Sequence, residues 1–365
     1  MKILQLTNHC RRSGNGIVNV AVDLACAQAA DGHQVAFASA GGDYASLLAS
    51  RGIRHFEVDQ RSRAPQKLAI AAFRLYRVLR EFRPDVVHAH MMTGAVLAKT
   101  FAPLFGYAMV TTVHNEFQKS ASVMRLGDRV IAVSDAVAAA LAKRRFARGK
   151  IKVVYNGTVG TLRLPAMDGV AMERLNRPAI VTVAGLYHRK GIADLIDAFG
   201  PIASRHATAH LYIVGDGPQR GVFEARARAS PAQDRIVFAG FCTDPRSYMR
   251  AADIFVLASH EEPFGLVLTE AREAGCAIIA TDVGGVSEAL DGGAAGILVP
   301  ARRSDLLANA LIGLLDRPED REKLRARAVR NLDVFSVTRV SRQTLAVYND
   351  ALASRGTLGL SAQRN

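Results

Sequence analysis

The feature that most constrains the fold of this chain is a repeated alternation of short apolar runs with longer amphipathic stretches. The first unit is an apolar run at 2–7, a turn containing Gly14 and Gly16, and helically spaced apolar residues from Ile17 to Ala30. Strands separated by helices in this way predict parallel sheets with right-handed crossovers. Strands are expected at 2–7, 34–39, 55–58, 85–90, 108–114, 129–133, 151–155, 179–184, 210–214, 235–239, 253–259, 277–281 and 296–299.

The alternation is interrupted once, between residues 157 and 178. Asn156-Gly157-Thr158 is a turn signal, and Pro165 and Pro178 bracket a stretch without clear periodicity. The sequence therefore predicts an α/β protein with two Rossmann-like domains facing each other across a cleft. The expected boundaries are 1–165 for the first domain, 166–335 for the second, 336–352 for a C-terminal helix and 353–365 for a frayed tail.

Composition narrows the class of protein. A chain of 365 residues with 49% hydrophobic residues is long enough for two buried cores. It has no Trp and only 6% aromatic residues, which argues against the stacking surfaces that bind single-stranded nucleic acid. Four cysteines without a Cys-x-x-Cys pair indicate reduced thiols rather than a disulfide framework or a zinc site.

No targeting or membrane-spanning segment is expected. The apolar run at the N-terminus ends at Asn8-His9, which is too short for a signal peptide. The longest candidate for a transmembrane helix, residues 96–113, contains Lys99, Pro103 and Gly106. The sequence therefore predicts a soluble, cytoplasmic protein.

The net charge of +14 is distributed unequally. Residues 1–165 hold 23 Lys and Arg against 10 Asp and Glu, whereas residues 166–365 hold 24 against 23. Arg74, Arg77 and Arg80 recur on one predicted helix, and a second basic cluster runs from Lys143 to Lys152. Such faces are often merely solvated, but a one-sided field also attracts anionic partners. We expect the first half to meet an anionic partner or an anionic membrane surface.

The stretch from Glu262 to Glu270 carries the strongest functional signal. It places a glycine, Gly265, where a buried strand hands over to a helix, with one carboxylate on each side. In open α/β sheets, ligands bind where strands end and helices begin. The alternative is that both carboxylates are surface residues flanking a helix.

Several further motifs occur in a fixed order along the chain. They are Val113-His114 ending a strand, Asn156-Gly157 after a strand, Lys190-Gly191 opening a helix, Val214-Gly215-Asp216-Gly217-Pro218, Glu270-Ala271-x-x-x-Gly275, and Ala280-Thr281-Asp282-Val283-Gly284-Gly285-Val286-x-Glu288. Together with Phe264-Gly265-Leu266 between the two glutamates, they resemble family 4 retaining glycosyltransferases of the GT-B fold. That resemblance implies that the first domain takes the acceptor, the second domain takes the nucleotide-sugar donor, and the C-terminal helix returns to the first domain.

The resemblance also implies roles for individual residues. Glu262 is expected to hold hydroxyls of the donor sugar, Glu270 those of the ribose, and His114 to contact the sugar near the reacting carbon. Phe241 is expected near the base. The diphosphate is expected to meet the backbone of Gly14, Gly16, Phe264, Gly265, Leu266 and Val267 and the cations Arg189 and Lys190. His88 and His90, on a neighbouring strand, are expected to be structural.

Two positions depart from the family pattern. Gly185 stands where the family usually has an arginine that contacts phosphate, and Arg189 is the expected substitute. Asn15 separates Gly14 from Gly16, whereas the glycines are commonly adjacent in the family.

The mechanism that the resemblance implies is a front-face displacement with retention. The acceptor hydroxyl attacks on the side from which the diphosphate leaves, and catalysis comes from positioning and charge stabilisation. No Asp-x-Asp triplet is present, so we expect no metal or other cofactor. A UDP-sugar is the first expectation for the donor and a GDP-sugar the second. Since the resemblance assigns the acceptor to the basic first half, an anionic acceptor is expected, such as a lipid-linked or lipopolysaccharide-type glycan.

Other functions remain open at this stage. An inverting transferase or an epimerase of the same fold, or a non-catalytic binder of nucleotide sugars or polyanions, would share most of the motifs. A nucleic-acid-binding protein would need basic residues throughout the chain or interleaved aromatic residues. A dinucleotide-binding enzyme is disfavoured because Asn19 stands where the third glycine of Gly-x-Gly-x-x-Gly belongs.

Overall fold

The computed structural model describes residues 1–62 and 64–362, without the side chains of Lys119 and of residues 356–362. The chain divides into two compact units. Unit 1 comprises Met1–Arg163 and the chain from Ser336 onward, and unit 2 comprises Leu164–Phe335.

Unit 1 contains a seven-stranded sheet in which every pairing is parallel, in the order β3-β2-β1-β4-β5-β6-β7. Its strands are β1 Lys2–Leu6, β2 Gln34–Ser39, β3 Arg54–Glu57, β4 Val86–Ala89, β5 Ala108–Val113, β6 Arg129–Ala132 and β7 Ile151–Val153. Its helices are α1 Gly16–Ala30, α2 Ala45–Ser50, α3 Pro65–Phe82, α4 Met92–Phe105, α5 Asp135–Lys143 and, after unit 2, α13 Val337–Ala362.

The core of this sheet follows from its apolar sequence. All residues of β4 and β5 are buried, as expected when helices cover both faces of a parallel sheet. Strand order reverses between β1 and β4, which pair from Ile3↔Val86 onward. That reversal is the topological switch point at which ligands bind in open α/β sheets.

The last helix of the chain belongs to unit 1. Helix α13 packs in one core cluster with Ile3, Val86 and Val110 through the fully buried Tyr348 and Ala351. It extends past the predicted end at residue 352 to Ala362. Residues 363–365 of the predicted tail lie outside the described residues.

Unit 2 repeats the architecture with a six-stranded parallel sheet in the order β10-β9-β8-β11-β12-β13. Its strands are β8 Ala179–Val183, β9 His210–Val214, β10 Ile236–Gly240, β11 Ile254–Leu257, β12 Ala277–Thr281 and β13 Ile297–Val299. Its helices are α6 Ile192–Arg205, α7 Arg220–Arg228, α8 Arg246–Ala251, α9 Leu266–Glu273, α10 Val286–Ala289, α11 Ser304–Asp316 and α12 Pro318–Ala328. The switch point of this sheet lies between β8 and β11.

Short 3₁₀ segments lie between the helices and strands, and one of them changes the start of a predicted helix. The predicted helix from Lys190 begins instead at Ile192, because Gly191 adopts a left-handed conformation (φ 63°) that separates it from a 3₁₀ turn. The 3₁₀ segments are Lys119–Leu126, Arg148–Lys150, Met167–Gly169, His188–Lys190, Gln233–Arg235, Asp291–Gly293 and Leu332–Phe335. Apart from Lys119–Leu126, each of these segments is only three or four residues long, too short to show the 3.6-residue apolar period of an α-helix.

Among the helices that the structure describes, none combines the length and apolar character needed to cross a lipid bilayer.

Candidate functional site

The candidate site of unit 2 lies where β8 and β11 deliver their C-terminal ends at the switch point. After β8 the chain forms a loop at 184–187 and then the 3₁₀ turn His188–Lys190. After β11 it forms a loop at 258–265 and then helix α9. Both loops carry residues that the sequence assigns to donor binding.

Lys190 and Glu262, which are 72 positions apart, are in direct contact. Lys190 Nζ donates to Glu262 Oε2 at 2.5 Å, and the two side chains are only 15% and 10% exposed. Ser259 Oγ donates to the same oxygen at 3.3 Å. The structure therefore holds a cation and a carboxylate together at the end of the sheet.

Backbone contacts hold these two residues in register. The amide of His260 donates to the carbonyl of Arg189 at 2.7 Å. A Cβ atom on Gly191 would lie 1.8 Å from the carbonyl oxygen of Ala258, so only glycine permits this approach. The 3₁₀ turn is thereby packed directly on the loop that leads to Glu262.

A third loop, after β12, holds the backbone of Glu262. The amide of Gly285 donates to the carbonyl of Glu262 at 3.2 Å. Gly284 has a φ of 54°, and a Cβ atom on it would lie 1.9 Å from the same oxygen. Sequence reasoning found the Gly284-Gly285 motif by resemblance alone. The structure gives it a role, which is to position Glu262.

The turn into α9 depends on Gly265, which has a φ of 92° and precedes the helix. The amides of Leu266 and Val267 open the helix and have no backbone acceptor among the described residues. The ring of Phe264 is buried and packs against Phe335 at 6.0 Å between centroids. Phe264 therefore anchors the turn that precedes these two amides. Glu270 lies half-buried on the second turn of α9.

Gly185, which stands where the family usually has an arginine, lies against an aromatic ring. A Cβ atom on Gly185 would be 2.9 Å from Cε2 of Tyr187. The guanidinium of Arg189 lies 5.9 Å from the centroid of the same ring, and Arg189 has no carboxylate partner among the described residues. Tyr187 thus fills the space that a larger side chain at 185 would need, and it lies beside the expected substitute cation.

Phe241 lies at the same edge of the sheet, directly after β10. Its side chain is 47% exposed. The preceding Gly240 accepts from the amide of Gly215 at 2.7 Å, which joins the ends of β9 and β10. An exposed ring at this edge is compatible with stacking on a base.

In unit 1, the glycine loop after β1 begins helix α1. Gly14 is left-handed (φ 65°), and Gly16 is the first residue of the helix. Asn15 caps the helix, because its side-chain oxygen accepts from the amide of Ile17 at 3.0 Å. The residue that separates the two glycines therefore has a structural explanation.

His114 follows β5 and begins a chain of buried hydrogen bonds. Its Nε2 lies 3.1 Å from Nδ1 of His90, and Nε2 of His90 lies 2.8 Å from Oε1 of Gln5. The two imidazole rings are stacked, with 5.4 Å between their centroids. Sequence analysis identified His114 but expected His90 to be structural.

The series of hydrogen bonds that starts at His114 continues to the C-terminal helix, α13. Nε2 of Gln5 donates to Oε1 of Gln28 at 2.8 Å and to the hydroxyl of Tyr348 at 3.1 Å. Gln28 Nε2 donates to the same hydroxyl at 3.3 Å. That hydroxyl also contacts Nδ1 of His88 at 2.7 Å.

Burial keeps these histidines uncharged at neutral pH. Desolvation lowers the pKa of His88 and of His114 to about 3. Desolvation also lowers the pKa of His90 well below its usual value, and the neighbouring His88 and His114 add to the effect.

Within the described part of the chain, no group of three or more His, Cys, Asp or Glu side chains is arranged to hold a metal ion.

Two family models match the chain, one in each unit. Residues 14–159 match Glycosyltransferase Family 4, and residues 170–330 match Glycosyl transferases group 1.

Curated relatives cover most of the chain. It is 30% identical over 291 residues to a glycogen synthase of Mycobacterium tuberculosis. The matched region covers 74% of this chain and 69% of the relative. It is 30% identical to a D-inositol 3-phosphate glycosyltransferase of Acidothermus cellulolyticus, covering 75% and 68%. It is 28% identical to the lipopolysaccharide core biosynthesis glycosyltransferase LpsD of Rhizobium meliloti, covering 78% and 80%.

Solved structures share the fold. HepE of Anabaena, in complex with UDP and glucose, has a TM-score of 0.81 at 20% identity, covering 96% of this chain and 99% of that one. Sucrose-phosphate synthase of Thermosynechococcus elongatus has a TM-score of 0.82 at 20% identity, covering 97% and 100%. With the two parallel sheets and the identity to named transferases, these findings confirm the predicted family and fold class: the chain belongs to the family 4, group 1 glycosyltransferases and has the GT-B fold.

Proposed function

We propose that this glycosyltransferase moves a sugar, with retention of anomeric configuration, from a UDP-sugar to a hydroxyl of an anionic, lipid-linked glycan. The observation that supports this most directly is the Lys190–Glu262 pair at the switch point of unit 2. It joins Lys190, the expected phosphate-binding cation, to Glu262, the expected hydroxyl-binding carboxylate, on the loop that leads to the amides of Leu266 and Val267.

The chemistry asked of these residues is binding and charge stabilisation. Lys190, Arg189 and the α9 amides would hold the diphosphate and stabilise the negative charge that it gains as it leaves. Glu262 would accept hydrogen bonds from sugar hydroxyls, and Glu270 from the ribose. The acceptor hydroxyl attacks the anomeric carbon on the face that the diphosphate leaves, and a phosphate oxygen takes the proton.

Uridine is the base that we favour. The HepE structures of Anabaena were solved with UDP, with UDP and glucose, and with UDP-glucose. In this chain the exposed ring of Phe241 and the backbone of Gly240 lie at the edge where such a base would bind.

A donor screen tests the proposal. Thermal shift is measured with UDP-, GDP- and ADP-sugars at matched concentrations, because a ligand at about 100 times its Kd stabilises the folded state by about 2.7 kcal/mol. The best donor is then used for turnover, with and without EDTA, and the anomeric configuration of the product is determined by NMR. We expect a UDP-sugar to give the largest shift, turnover to survive chelation, and the configuration to be retained.

Each other result identifies an alternative. An inverted product indicates an inverting transferase, and a donor isomerised without transfer indicates an epimerase. Donor binding without any turnover indicates a binding protein. A larger shift with a GDP- or ADP-sugar contradicts the choice of base, and loss of turnover in EDTA that Mg²⁺ restores contradicts metal independence.

The proposed acceptor rests on the charge of unit 1. The residues of unit 1 hold 27 Lys and Arg against 11 Asp and Glu, and those of unit 2 hold 20 against 22. The excess of +16 in one unit favours an anionic partner there. Several relatives carry names with anionic or lipid-linked acceptors, including lipopolysaccharide core, inositol phosphate and phosphatidyl-myo-inositol glycosyltransferases.

One helical face of unit 1 is suited to a membrane surface. Helix α3 exposes Ile70 (56%) and Phe73 (62%) beside Arg77 and Arg80. Helix α4, which packs on α3 through Tyr76, exposes Leu104 (68%). Apolar side chains next to cations fit the interface of an anionic bilayer. We therefore propose that this face, the α3–α4 face, binds anionic lipid peripherally.

A further inference from the structure

We infer that His90 is a positioning residue that holds His114 in the tautomer with hydrogen on Nε2, so that Nδ1 of His114 offers a lone pair to a hydroxyl of the bound sugar. The inference deepens the proposed function and rests on the role of His114 in donor binding. It assigns a role to the hydrogen-bonded residues Tyr348, Gln5 and His90, which are not part of the family motifs.

The argument begins with the amide of Gln5. Its nitrogen has two hydrogens, and both are used, one on Oε1 of Gln28 and one on the hydroxyl of Tyr348. Its oxygen therefore faces Nε2 of His90, at 2.8 Å. Since an amide oxygen only accepts, Nε2 of His90 must carry the hydrogen.

The opposite amide orientation leaves groups unsatisfied. Turning Gln5 alone would place two amide oxygens 2.8 Å apart. Turning Gln28 as well would set the hydroxyl of Tyr348, which has one hydrogen, against two amide oxygens. In the observed orientation that hydroxyl accepts from both amides and donates to Nδ1 of His88, so its hydrogen and both lone pairs are used. Buried polar groups of this kind favour the fully satisfied arrangement.

The orientation of the Gln5 amide fixes the tautomer of His90 and, through it, that of His114. A neutral His90 with hydrogen on Nε2 has a lone pair on Nδ1, which lies 3.1 Å from Nε2 of His114. Nε2 of His114 must therefore donate, which leaves the lone pair on Nδ1. Both rings are neutral near pH 7, since burial lowers the pKa of each. Nδ1 of His114 makes no hydrogen bond to any described residue and is not among the enclosed polar atoms.

This tautomer has a consequence for the ligand. A lone pair on Nδ1 accepts from a sugar hydroxyl but repels a carboxylate or a carbonyl oxygen. The group that meets His114 must therefore donate a hydrogen bond, as a sugar hydroxyl does, and donors with a carboxylate or no hydrogen-bond donor at that carbon are expected to be poorer substrates.

Imidazole nitrogen NMR tests the tautomer without requiring activity. Long-range ¹H–¹⁵N correlations of the ¹⁵N-labelled protein near pH 7.5 distinguish the protonated nitrogen of each of the 10 histidines. The His114 signals are assigned from a His114→Gln spectrum. We expect hydrogen on Nε2 of His114 and of His90. Hydrogen on Nδ1 of His114, or a charged ring, overturns the inference.

A matched pair of variants tests the positioning role. His90→Leu removes the acceptor at similar size, whereas His90→Asn keeps a carbonyl oxygen near the place of Nδ1. We expect about a tenfold loss of kcat in the leucine variant, the scale of one lost hydrogen bond, with little change in donor KM and most of the loss restored by asparagine. The His114 signals of the leucine variant should show both tautomers.

Two outcomes sink the positioning claim. One is equal loss in both variants with His114 unchanged, which means that His90 only packs. The other is an unchanged kcat in His90→Leu. If no donor supports transfer at all, the proposed function fails, whereas the wild-type spectrum still decides the tautomer.

Discussion

Glu262 is held at both its side chain and its backbone carbonyl by other residues of unit 2. Lys190 and Ser259 bind its carboxylate, and Gly285 binds its carbonyl. A side chain held in this way is pre-organised for the hydroxyls that it is proposed to bind, because binding them would not require a rearrangement of the loop.

We predict that Glu262→Gln lowers kcat by about 100-fold, the scale of one lost transition-state contact. It should also destabilise the fold by about 1–3 kcal/mol, because the ammonium of Lys190 loses its partner in a largely buried site. Turnover with the best donor and urea unfolding measure the two effects. Activity within a few-fold of wild type would remove Glu262 from the site.

A control separates stability from catalysis. In the double variant Lys190→Met, Glu262→Gln, neither partner is left charged, so stability should return toward the wild-type value while activity stays low. Activity that returns together with stability would show that the single variant had only damaged the fold.

Motifs in the sequence identified the candidate site residues, but they did not predict which residues contact His114. Spacing around Gly265 identified Glu262 and Glu270, because a strand, a glycine and a helix are local features. Gln5 lies in β1, whereas His90 and His114 follow β4 and β5, and no local pattern shows that these three strands are neighbours. The available signal was the pair His88 and His90, which alternate onto one face of an otherwise apolar strand.

At the level of elements, glycines decide how closely the loops of the site approach. Gly191 and Gly284 each lie against a carbonyl oxygen of the 258–262 loop, at distances that exclude any side chain. The loops after β8, β11 and β12 therefore form one packed layer.

We predict that Gly284→Ala lowers both stability and turnover. The added Cβ would lie 1.9 Å from the carbonyl oxygen of Glu262, so the loop must move and carry Glu262 with it. The matched control is Gly292→Ala, with a similar φ of 68° and nothing within 4 Å of its Cβ. It should cost only the left-handed strain, about 1 kcal/mol, at wild-type kcat.

Thermal unfolding and donor kinetics compare the two variants. Equal kcat values for Gly284→Ala and Gly292→Ala would contradict the idea that the 284–285 loop positions Glu262.

Periodicity predicted the strands of both units and helix α1, because buried parallel strands and amphipathic helices have distinct patterns. It placed the start of α6 too early, at Lys190. Lys190-Gly191 has the composition of a first helical turn, but the contact of Gly191 with Ala258 comes from the fold and not from its neighbours.

For the whole molecule, the difference in net charge between the two structural units is larger than the difference between the two halves of the sequence. Residues 336–365 add four cations and one carboxylate to the basic unit, which leaves unit 2 slightly negative. That α13 belongs to unit 1 depends on long-range packing of Tyr348, which no local pattern shows.

We predict that unit 1 binds anionic vesicles through the α3–α4 face. Replacing Arg77 and Arg80 by Gln should weaken binding roughly 10- to 30-fold at low salt, at about 1 kcal/mol per cation. Replacing Ile70 and Phe73 by Ser should weaken it at high salt as well, because apolar burial is not screened. Co-sedimentation with phosphatidylcholine vesicles, with and without phosphatidylglycerol, measures both effects.

The matched control is Val222→Ser, which removes an apolar side chain of unit 2 that is 57% exposed. It should bind as the wild type does. Equal binding of the wild-type protein to neutral and anionic vesicles would contradict the lipid proposal.

Because Tyr348 lies near the end of the sequence, its position determines when the hydrogen-bond network of His114 can form during translation. The hydrogen bonds that orient His114 include a hydroxyl on α13, which is translated only after all of unit 2. At about 5–20 residues per second, residues 164–335 take roughly 10–30 s to emerge from the ribosome. During that interval the first 163 residues lack the helix that completes their core, so the hydrogen bonds that link Tyr348 through Gln5 and His90 to His114 can form only when synthesis is nearly finished.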